Sequence, residues 1–386
     1  MTEQKKPPYG IIAILFTGAF VAIFNQTLLN IALPSIMIDL DIKDASIVQW
    51  LVTGYMLVNG ILIPASAYFI QRYSNRSIFI LAMSLFVLGT LIAGFAPTFG
   101  VLLGARMVQA AGAALMMPLL MNVMLAAFPI EKRGAAMGIF GLVMIVAPAI
   151  GPTLSGYIVE HYSWRVLFFI VLPIALVPLF LGIFKLKNLT FQNRELSLDK
   201  PSLVLSSLGF GGILYGFSAA GQNGWSDPYV LGTITIGVVS LVTFIIRQLK
   251  LNEPLLEFRI YKYPMFALSS AISIVLSISM FSAMILMPIY VQTIKGISPF
   301  DSGLLMLPGA LVMGFMSPVT GKLFDKYGAK VLSITGMAIV LISTYYFSEL
   351  SIETTYLNIM FLYTIRMFGI SMVMMPVMTN GLNTLP

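Results

Sequence analysis

Cysteine is absent from this chain of 386 residues, and His161 is its only histidine. Without thiols the chain has no disulfides, thiolate metal sites or cysteine nucleophiles, and one histidine cannot form a His-His metal cluster. Charge is also scarce, because Lys, Arg, Asp and Glu make up only 10% of the residues, against about 25% in soluble domains. These shortages exclude a soluble enzyme and a disordered chain.

Long uncharged runs separate the few charged residues. Each run is close to the roughly 17–25 residues that a helix needs to cross the hydrocarbon of a bilayer. The runs lack the alternation of apolar and polar residues that a membrane β-barrel requires. The sequence therefore predicts an all-α polytopic membrane protein with twelve spans, at 10–34, 46–70, 77–96, 99–126, 135–159, 166–186, 202–221, 228–247, 264–290, 301–320, 331–348 and 355–380.

The basic residues are divided unequally between the predicted loops. With a cytoplasmic N-terminus, 17 Lys and Arg fall on inner loops, and only Lys43, Arg165 and Lys295 fall on outer loops. Because cytoplasmic loops are enriched in basic residues, this predicts a multi-pass protein of the cell (plasma) membrane with its N-terminus in the cytoplasm. We therefore expect the basic residues behind the net charge of +7 to interact with anionic lipid of the bilayer, and we expect no nucleic-acid partner. We expect a monomer.

Two segments of the chain resemble each other. Residues 67–76, after the second predicted span, and residues 321–330, after the tenth, share the pattern small-x-x-x-polar-basic-Tyr-small. Further on, Arg106 followed by Met lies in the fourth span, and Arg366 followed by Met lies in the twelfth. Matched landmarks in matched order indicate a duplicated helical unit, as in many secondary transporters.

The repeat predicts three regions of the chain. They are an N-terminal six-helix bundle at 1–186, two inserted helices with cytoplasmic linkers at 187–262, and an incomplete C-terminal bundle of four helices at 263–386. The second copy of the unit ends after its arginine helix, two spans short of the first. We therefore expect the natural product to have fourteen spans and to be longer by about 60–90 residues, at about 20 per span.

Three motifs occur in a fixed order along the chain. Residues 321–330 match Gly-x-x-x-Asp-Arg-x-Gly-Arg-Lys well, whereas residues 67–76 match it with Ala for the first Gly, Gln for Asp and Ser for the second Gly. Residues 106–112 resemble Arg-x-x-Gln-Gly-x-Gly, and residues 151–156 resemble Gly-Pro-x-x-Gly-Gly. By these motifs the chain resembles the major facilitator superfamily, and within it the fourteen-helix drug/proton antiporter family.

The resemblance implies a major facilitator fold of two pseudo-symmetric helix bundles. It also implies a secondary transporter that exports small amphiphilic compounds, as in multidrug efflux, by alternating access. The proton gradient would drive it, with no cofactor. The antiporter motif would be Gly151, Pro152 and Gly156, and the inner-loop gating motif would be Gln71, Arg72, Arg76, Gly321, Asp325, Lys326, Gly328 and Lys330.

Polar residues inside predicted spans are candidates for a substrate and coupling cavity. Arginine is costly to place in a membrane, so it should face a cavity, or else bind backbone carbonyls of a neighbouring helix. Polar amides on one membrane helix either line such a cavity or form hydrogen bonds to another helix. The candidates, called the polar set below, are Asn25, Gln26, Asn30, Arg106, Gln109 and Arg366.

One departure from the family pattern concerns proton coupling. The family usually has Asp in the first helix, in a stretch like Leu-Asp-x-Thr-x-x-Asn, but Asn25 occupies that place here. Asn cannot carry a proton, and all 15 acidic residues fall in predicted loops or at span ends. The candidate proton sites are therefore Glu160 and Asp301, at the outer side, or a group on the two further spans that we expect. Without a central carboxylate, we expect neutral, zwitterionic or anionic substrates to be preferred over dications.

Other functions are compatible with parts of this sequence. An exporter of an endogenous metabolite or lipid would have the same features as a drug exporter. A membrane-bound transferase would need clustered histidine or carboxylate side chains at a membrane edge, and the chain offers only Glu160 beside His161. The sequence contains no Gly-x-x-x-x-Gly-Lys loop, so we do not expect ATP to power transport directly.

Overall fold

The computed structural model describes residues 8–128, 147–148, 150–188 and 199–383. All regular elements in these ranges are helices, with a 3₁₀ turn at Phe258–Lys262 and a π-turn at Tyr290–Ile294. The helices are α1 Tyr9–Asp39, α2 Ala45–Arg72, α3 Asn75–Gly94, α4 Phe99–Ala127, α5 150–161, α6 Arg165–Lys185, α7 Lys200–Asn223, α8 Pro228–Lys250, α9 Pro264–Ile289, α10 Pro299–Ser348 and α11 Tyr356–Asn383.

The helices confirm an all-α polytopic membrane protein. Within the described residues, eleven helical stretches are long and apolar enough to cross a bilayer, and α10 contains two of them. The predicted fifth span, 135–159, falls mostly outside the described residues, and its last part is α5. The other predicted spans each coincide with one of the eleven stretches.

The helical stretch α10 corrects the prediction of a loop at 321–330. The chain there is helical on both sides of a single break at Gly328, where φ is 74° and ψ is 168°. Glycine tolerates positive φ because it has no Cβ, so one residue is enough to end one span and begin the next. The matching segment at 67–76 lacks this glycine, and its break consists of Tyr73 and Ser74, between α2 and α3.

Acidic residues stabilise the starts of several helices. The Asp44 carboxylate accepts a hydrogen bond from the Ser46 N–H at the start of α2, at 2.8 Å, and this bond lowers the pKa of Asp44. Asp227 accepts from the Tyr229 N–H at the start of α8, at 2.7 Å. Such caps satisfy N–H groups that have no partner within the helix, and a negative charge also favours the helix N-terminus.

The chain divides into two compact units. Unit 1 comprises Met1–Ala22, Met37–Met137 and Arg165–Phe258, and unit 2 comprises Ile23–Ile36, Gly138–Trp164 and Arg259–Pro386. In unit 1, α3 packs on α4 and α6, α2 packs on α4 and α7, and α7 packs on α8. In unit 2, α11 packs on α9 and α10. The predicted division at 186 and 262 stays a prediction.

Candidate functional site

Arg106 of α4 has no solvent-accessible surface. Its Nη1 donates to Gln109 Oε1 at 2.9 Å, and its Nε donates to the Leu51 carbonyl of α2 at 3.5 Å. Its guanidinium carbon lies 4.3 Å from the centroid of the Tyr55 ring, also on α2. A ring face and polar dipoles therefore stabilise this cation, without a carboxylate partner among the described residues.

Gln109 is itself held in place by α3. Its Nε2 donates to Thr90 Oγ1 at 2.7 Å, and that hydroxyl donates to the Phe86 carbonyl at 2.7 Å. The two helices approach closely beside this bond, since a Cβ on Gly89 would lie 2.7 Å from the Ala105 carbonyl oxygen. Small residues at such contacts let membrane helices come together. The close approach thus places Thr90 within reach of Gln109.

One nitrogen of Arg106 remains available for another acceptor. Its Nη2 is buried and has no hydrogen-bond partner among the described residues. A buried donor without a partner costs about 1–3 kcal/mol, so this group gains from any acceptor that reaches it. A carboxylate or phosphate oxygen is the strongest such acceptor, because both partners then carry charge.

Arg366 of α11 is bound in a similar way within unit 2. Its Nη2 donates to the Ser279 carbonyl of α9 at 2.9 Å and to the Ser279 hydroxyl at 2.6 Å. Its guanidinium carbon lies 5.3 Å from the centroid of the Phe347 ring. Each of the two arginines thus contacts a backbone carbonyl and an aromatic ring, and Nε of Arg366 has no partner in the described part of the chain.

The amides of α1 lie in unit 2. Asn25 and Asn30 are buried and Gln26 is half-buried. Asn30 Oδ1 has no hydrogen-bond partner among the described residues. Among the described residues, the side chain of Arg366 forms hydrogen bonds to Ser279. It forms none to these amides in that part of the chain. Within the polar set the structure shows a hydrogen bond between Arg106 and Gln109, and a shared cavity stays a prediction.

The antiporter motif lies where α5 packs closely within unit 2. A Cβ on Gly151 would overlap the Thr27 hydroxyl of α1, and a Cβ on Gly156 would overlap the Pro299 carbonyl at the start of α10. Pro152 is buried, and its carbonyl oxygen would lie 2.5 Å from a Cβ on Gly303. Side chains larger than hydrogen at these glycines would therefore separate α5 from α1 and α10.

Hydrogen bonds between helices add to this contact. Ser155 Oγ donates to the Leu28 carbonyl of α1 at 2.6 Å, and Thr153 Oγ1 donates to the Gly303 carbonyl of α10 at 3.2 Å. In a membrane such bonds replace those that water would make. The described residues around the motif thus bind backbone, which indicates a role in helix packing.

Glu160, in the last turn of α5, and Asp301, in the first turn of α10, both lie against the start of α10. Glu160 Oε2 accepts from the Phe300 N–H at 3.0 Å, and Ser298 Oγ accepts from the Asp301 N–H at 3.1 Å while donating to Asp301 Oδ2 at 3.2 Å. Both acids are exposed. The two carboxylates therefore form part of a helix cap, where negative charge is favoured, and their use as proton sites stays a prediction.

The first copy of the inner-loop gating motif lies where α2 ends and α3 begins, and the second lies around the break in α10. In the first copy, Gln71 and Arg72 end α2, and Arg76 in the first turn of α3 donates from Nη2 to the Ile183 carbonyl at 2.6 Å. In the second copy the Lys326 ammonium lies 5.2 Å from the centroid of the Tyr327 ring. The Asp325 side chain lies outside the described residues. Gly321, Gly328 and Lys330 all belong to the backbone of α10.

A polar network that the sequence analysis did not identify lies where α7 and α8 meet. Arg247 donates to both Asp199 oxygens, from Nε at 3.0 Å and from Nη2 at 2.8 Å. Gln248 is fully buried; its Nε2 donates to Ser202 Oγ at 2.6 Å, and its Oε1 accepts from the Leu255 N–H at 2.6 Å. The sequence gives only a weak signal for this network. Asp199 lies two residues before Pro201, and Arg247 lies in the last turn of the next helix.

Replacing Asp199 with asparagine should remove the charge from this network and lower the melting temperature of the purified protein at neutral pH. Arg247 is 40% exposed, so we expect only about 1 kcal/mol after solvent screening. The Arg247 hydrogen bonds hold the pKa of Asp199 below its ordinary value of 3.8. The stabilisation is thus present above pH 3.8 and is lost as the pH falls through the folded-state pKa.

Thermal unfolding in detergent at pH 7 and at successively lower pH tests this. The difference between wild type and Asp199→Asn should shrink below pH 3.8. Glu253→Gln provides the control, because Glu253 is exposed and has no ion pair among the described residues. A difference that is constant with pH, or equal for both variants, would contradict the assignment.

Comparison with known proteins places this geometry in a family. The Major Facilitator Superfamily model matches residues 15–386. The chain is 48% identical over 384 residues to the "uncharacterized MFS-type transporter YhcA" of Bacillus subtilis, covering 100% of the chain and 72% of the relative. It is 49% identical over 388 residues to the "uncharacterized MFS-type transporter YcnB" of the same organism, covering 100% and 82%.

A third relative has a functional name. The chain is 46% identical over 387 residues to the lincomycin resistance protein LmrB of Bacillus subtilis, covering 100% of the chain and 80% of the relative. The match over nearly the whole chain sets aside the alternative of a membrane-bound transferase. The chain therefore belongs to the major facilitator superfamily, as a multi-pass membrane transporter of small molecules and not an enzyme.

Proposed function

We propose that the protein exports small amphiphilic compounds from the cell by alternating access, as a proton-coupled multidrug antiporter. The observation that supports this most directly is the buried Arg106–Gln109 pair, which keeps one guanidinium nitrogen without a partner among the described residues. The similarity to lincomycin resistance proteins supports efflux of drugs. The protein would act in the plasma membrane with a cytoplasmic N-terminus, as a monomer, and without cofactor or nucleic acid.

The charge of the interior favours one class of substrate. Among the described residues the buried charged side chains are Arg106 and Arg366, and no carboxylate is buried. At an effective dielectric constant near 20, two unit charges 4 Å apart interact by about 4 kcal/mol. A dication would meet repulsion at either arginine, whereas a neutral, zwitterionic or anionic amphiphile would not. We therefore propose that the latter classes are preferred.

Proton coupling would use the exposed end of α10. Asn25 has no group that titrates, and we propose Glu160 and Asp301, which lie against the start of α10, as the proton sites. Protonation of Glu160 would weaken its charge-assisted bond to the Phe300 N–H. Because Gly156 packs on the same turn of α10, that change would act on the α5–α10 contact directly.

The break in α10 supplies a place for the inner gate. Gly328 separates two spanning stretches of the helix, and basic side chains flank it at Lys326 and Lys330. Rotation about one flexible residue changes the angle between the two stretches with little loss of hydrogen bonding. We propose that the inner-loop gating motif acts through this residue.

Transport in proteoliposomes tests the proposal. Vesicles containing the protein are loaded with lincomycin or with an amphiphilic dye, and uptake or release is followed with and without an imposed pH gradient. We expect gradient-dependent transport of both, and raised lincomycin tolerance when the protein is expressed in a susceptible host. Vesicles without protein provide the background.

The outcomes separate the alternatives. Equal transport rates with and without the pH gradient would contradict proton coupling but would be consistent with drug export. Failure to move lincomycin or any dye, in a protein that unfolds cooperatively, would contradict multidrug export. The alternative would then be an exporter of an endogenous metabolite or lipid, tested with cell extracts as the vesicle load.

A further inference from the structure

A groove of about 540 Å³ opens in unit 1 between the beginning of α1 and the end of α6. Its walls are mainly apolar and include Ala13 and Ile14 from α1, and Val177 and Leu181 from α6. The side chains there leave space because Gly10 has none, and a Cβ built on it would meet nothing within 4 Å. The volume lies within the roughly 300–1,000 Å³ typical of small-ligand sites.

In a bilayer spanned by α1 and α6, the groove would lie at the depth of the lipid chains and end at the membrane surface. Both helices are spanning stretches, and α6 ends at Lys185. Val177 is 55% exposed and Leu181 is 37% exposed, so these walls present apolar surface outside the protein core. In a bilayer the neighbours of such surface are acyl chains, and the basic residue at the helix end lies at the interface.

Two lysines lie at the surface end of the groove. Lys185 and Lys187 both line it, both are exposed, and neither has a hydrogen bond or ion pair among the described residues. The described residues of the lining include no Asp or Glu. Apolar walls that lead to two unpaired ammonium groups complement a molecule with a hydrocarbon chain and an anionic head. Each basic residue near a membrane surface attracts anionic lipid by about 1 kcal/mol.

We propose that this groove binds an anionic phospholipid. One acyl chain would lie along Ala13, Ile14, Val177 and Leu181, and the phosphate would lie against Lys185 and Lys187. The assignment does not depend on what the transporter exports. It adds a lipid site to unit 1 that is separate from the Arg106–Gln109 pair.

Lipid titration of the purified full chain, followed by native mass spectrometry, tests the site. Phosphatidylglycerol and phosphatidylcholine with identical acyl chains are compared. In wild type we expect tighter binding of phosphatidylglycerol. The double variant Lys185→Gln/Lys187→Gln should bind it about 30-fold more weakly, from about 1 kcal/mol for each lysine. Lys200→Gln/Lys250→Gln is the matched control, since it removes the same charge from exposed positions on α7 and α8 and should bind as wild type does.

A third variant tests the hydrocarbon part of the groove. Ala13 is exposed, so Ala13→Phe places a ring in the acyl path without disturbing buried packing, and it should weaken binding of both lipids. Glycerol phosphate, which has the head but no chain, should not displace bound phosphatidylglycerol. Thermal unfolding of each variant confirms that the protein is folded.

Several results would overturn the proposal. Equal affinity for the two lipids in wild type, or unchanged phosphatidylglycerol binding in Lys185→Gln/Lys187→Gln, would exclude an anionic headgroup site. Full affinity in Ala13→Phe would place the lipid outside the groove. Displacement by glycerol phosphate would make the ligand a phosphate group rather than a lipid. Since the readout is binding and not transport, each result leaves the proposed function untouched.

Discussion

Replacement of Arg106 by alanine is expected to lower the transport of anionic amphiphiles by about tenfold or more and to leave that of cations unchanged or raised. The guanidinium is the only charge buried in the described part of unit 1, and its Nη2 has no partner there. Loss of one favourable charge interaction of a few kcal/mol at an effective dielectric near 20 accounts for this size of effect. Arg106→Lys should recover part of the anion transport, because it keeps the charge but not the planar fork that binds Gln109.

The measurement is competition between anionic and cationic dyes of similar size in proteoliposomes containing wild type, Arg106→Ala or Arg106→Lys. Melting temperatures of the three proteins show whether a change in transport follows from a change in folding. Export of dications in preference to anions by wild type, with anion export unaffected by Arg106→Ala, would refute the electrostatic argument.

Replacement of Gly112 by alanine is expected to destabilise the protein by about 1–3 kcal/mol, as overpacking of a close contact does. A Cβ at this position would overlap the Ala82 carbonyl oxygen of α3 and lie 2.9 Å from the Phe86 nitrogen. Both are backbone atoms, so no side-chain rotation relieves the contact. The helices would have to separate, and the hydrogen bond from Gln109 to Thr90 would lengthen.

Gly104 provides a matched control on the same helix. A Cβ there would meet nothing within 4 Å, so Gly104→Ala should be neutral, or stabilising by up to about 1 kcal/mol through helix propensity. Unfolding of both variants in detergent, together with dye transport, gives the comparison. Equal melting temperatures for Gly104→Ala and Gly112→Ala would contradict the close approach of α3 and α4.

The spans were predictable from the sequence because a membrane helix needs a long uncharged run and little else. The pairing of Arg106 with Gln109 was predictable for a similar reason, since residues three apart share a helix face. The break at Gly328 was not, because the segment around it is polar enough to be a loop. In the structure the helix continues on both sides, and the break is confined to Gly328 with its positive φ.

Partners from distant parts of the chain could not be predicted. Glu160 reaches the N–H of Phe300, which is 140 residues away. Thr90 has no feature in the sequence that distinguishes it from other threonines, and it contacts Gln109 only because α3 and α4 approach closely. Tyr55, whose ring contacts the Arg106 guanidinium, lies on α2. Each of these contacts depends on tertiary packing, which hydropathy and motif spacing do not determine.

The contacts of Arg106 also have a consequence for biosynthesis. An arginine within a nascent helix opposes its partition from the translocon into lipid, by about 2.5–3.5 kcal/mol at the helix centre, and Arg106 is the eighth of the 29 residues of α4. The helix before it, α3, has no charged residue between Arg76 and its end, and it supplies Thr90 to the polar side of α4. Release of α4 into the bilayer is therefore favoured when α3 is already beside it, so the two helices would integrate as a hairpin rather than one at a time.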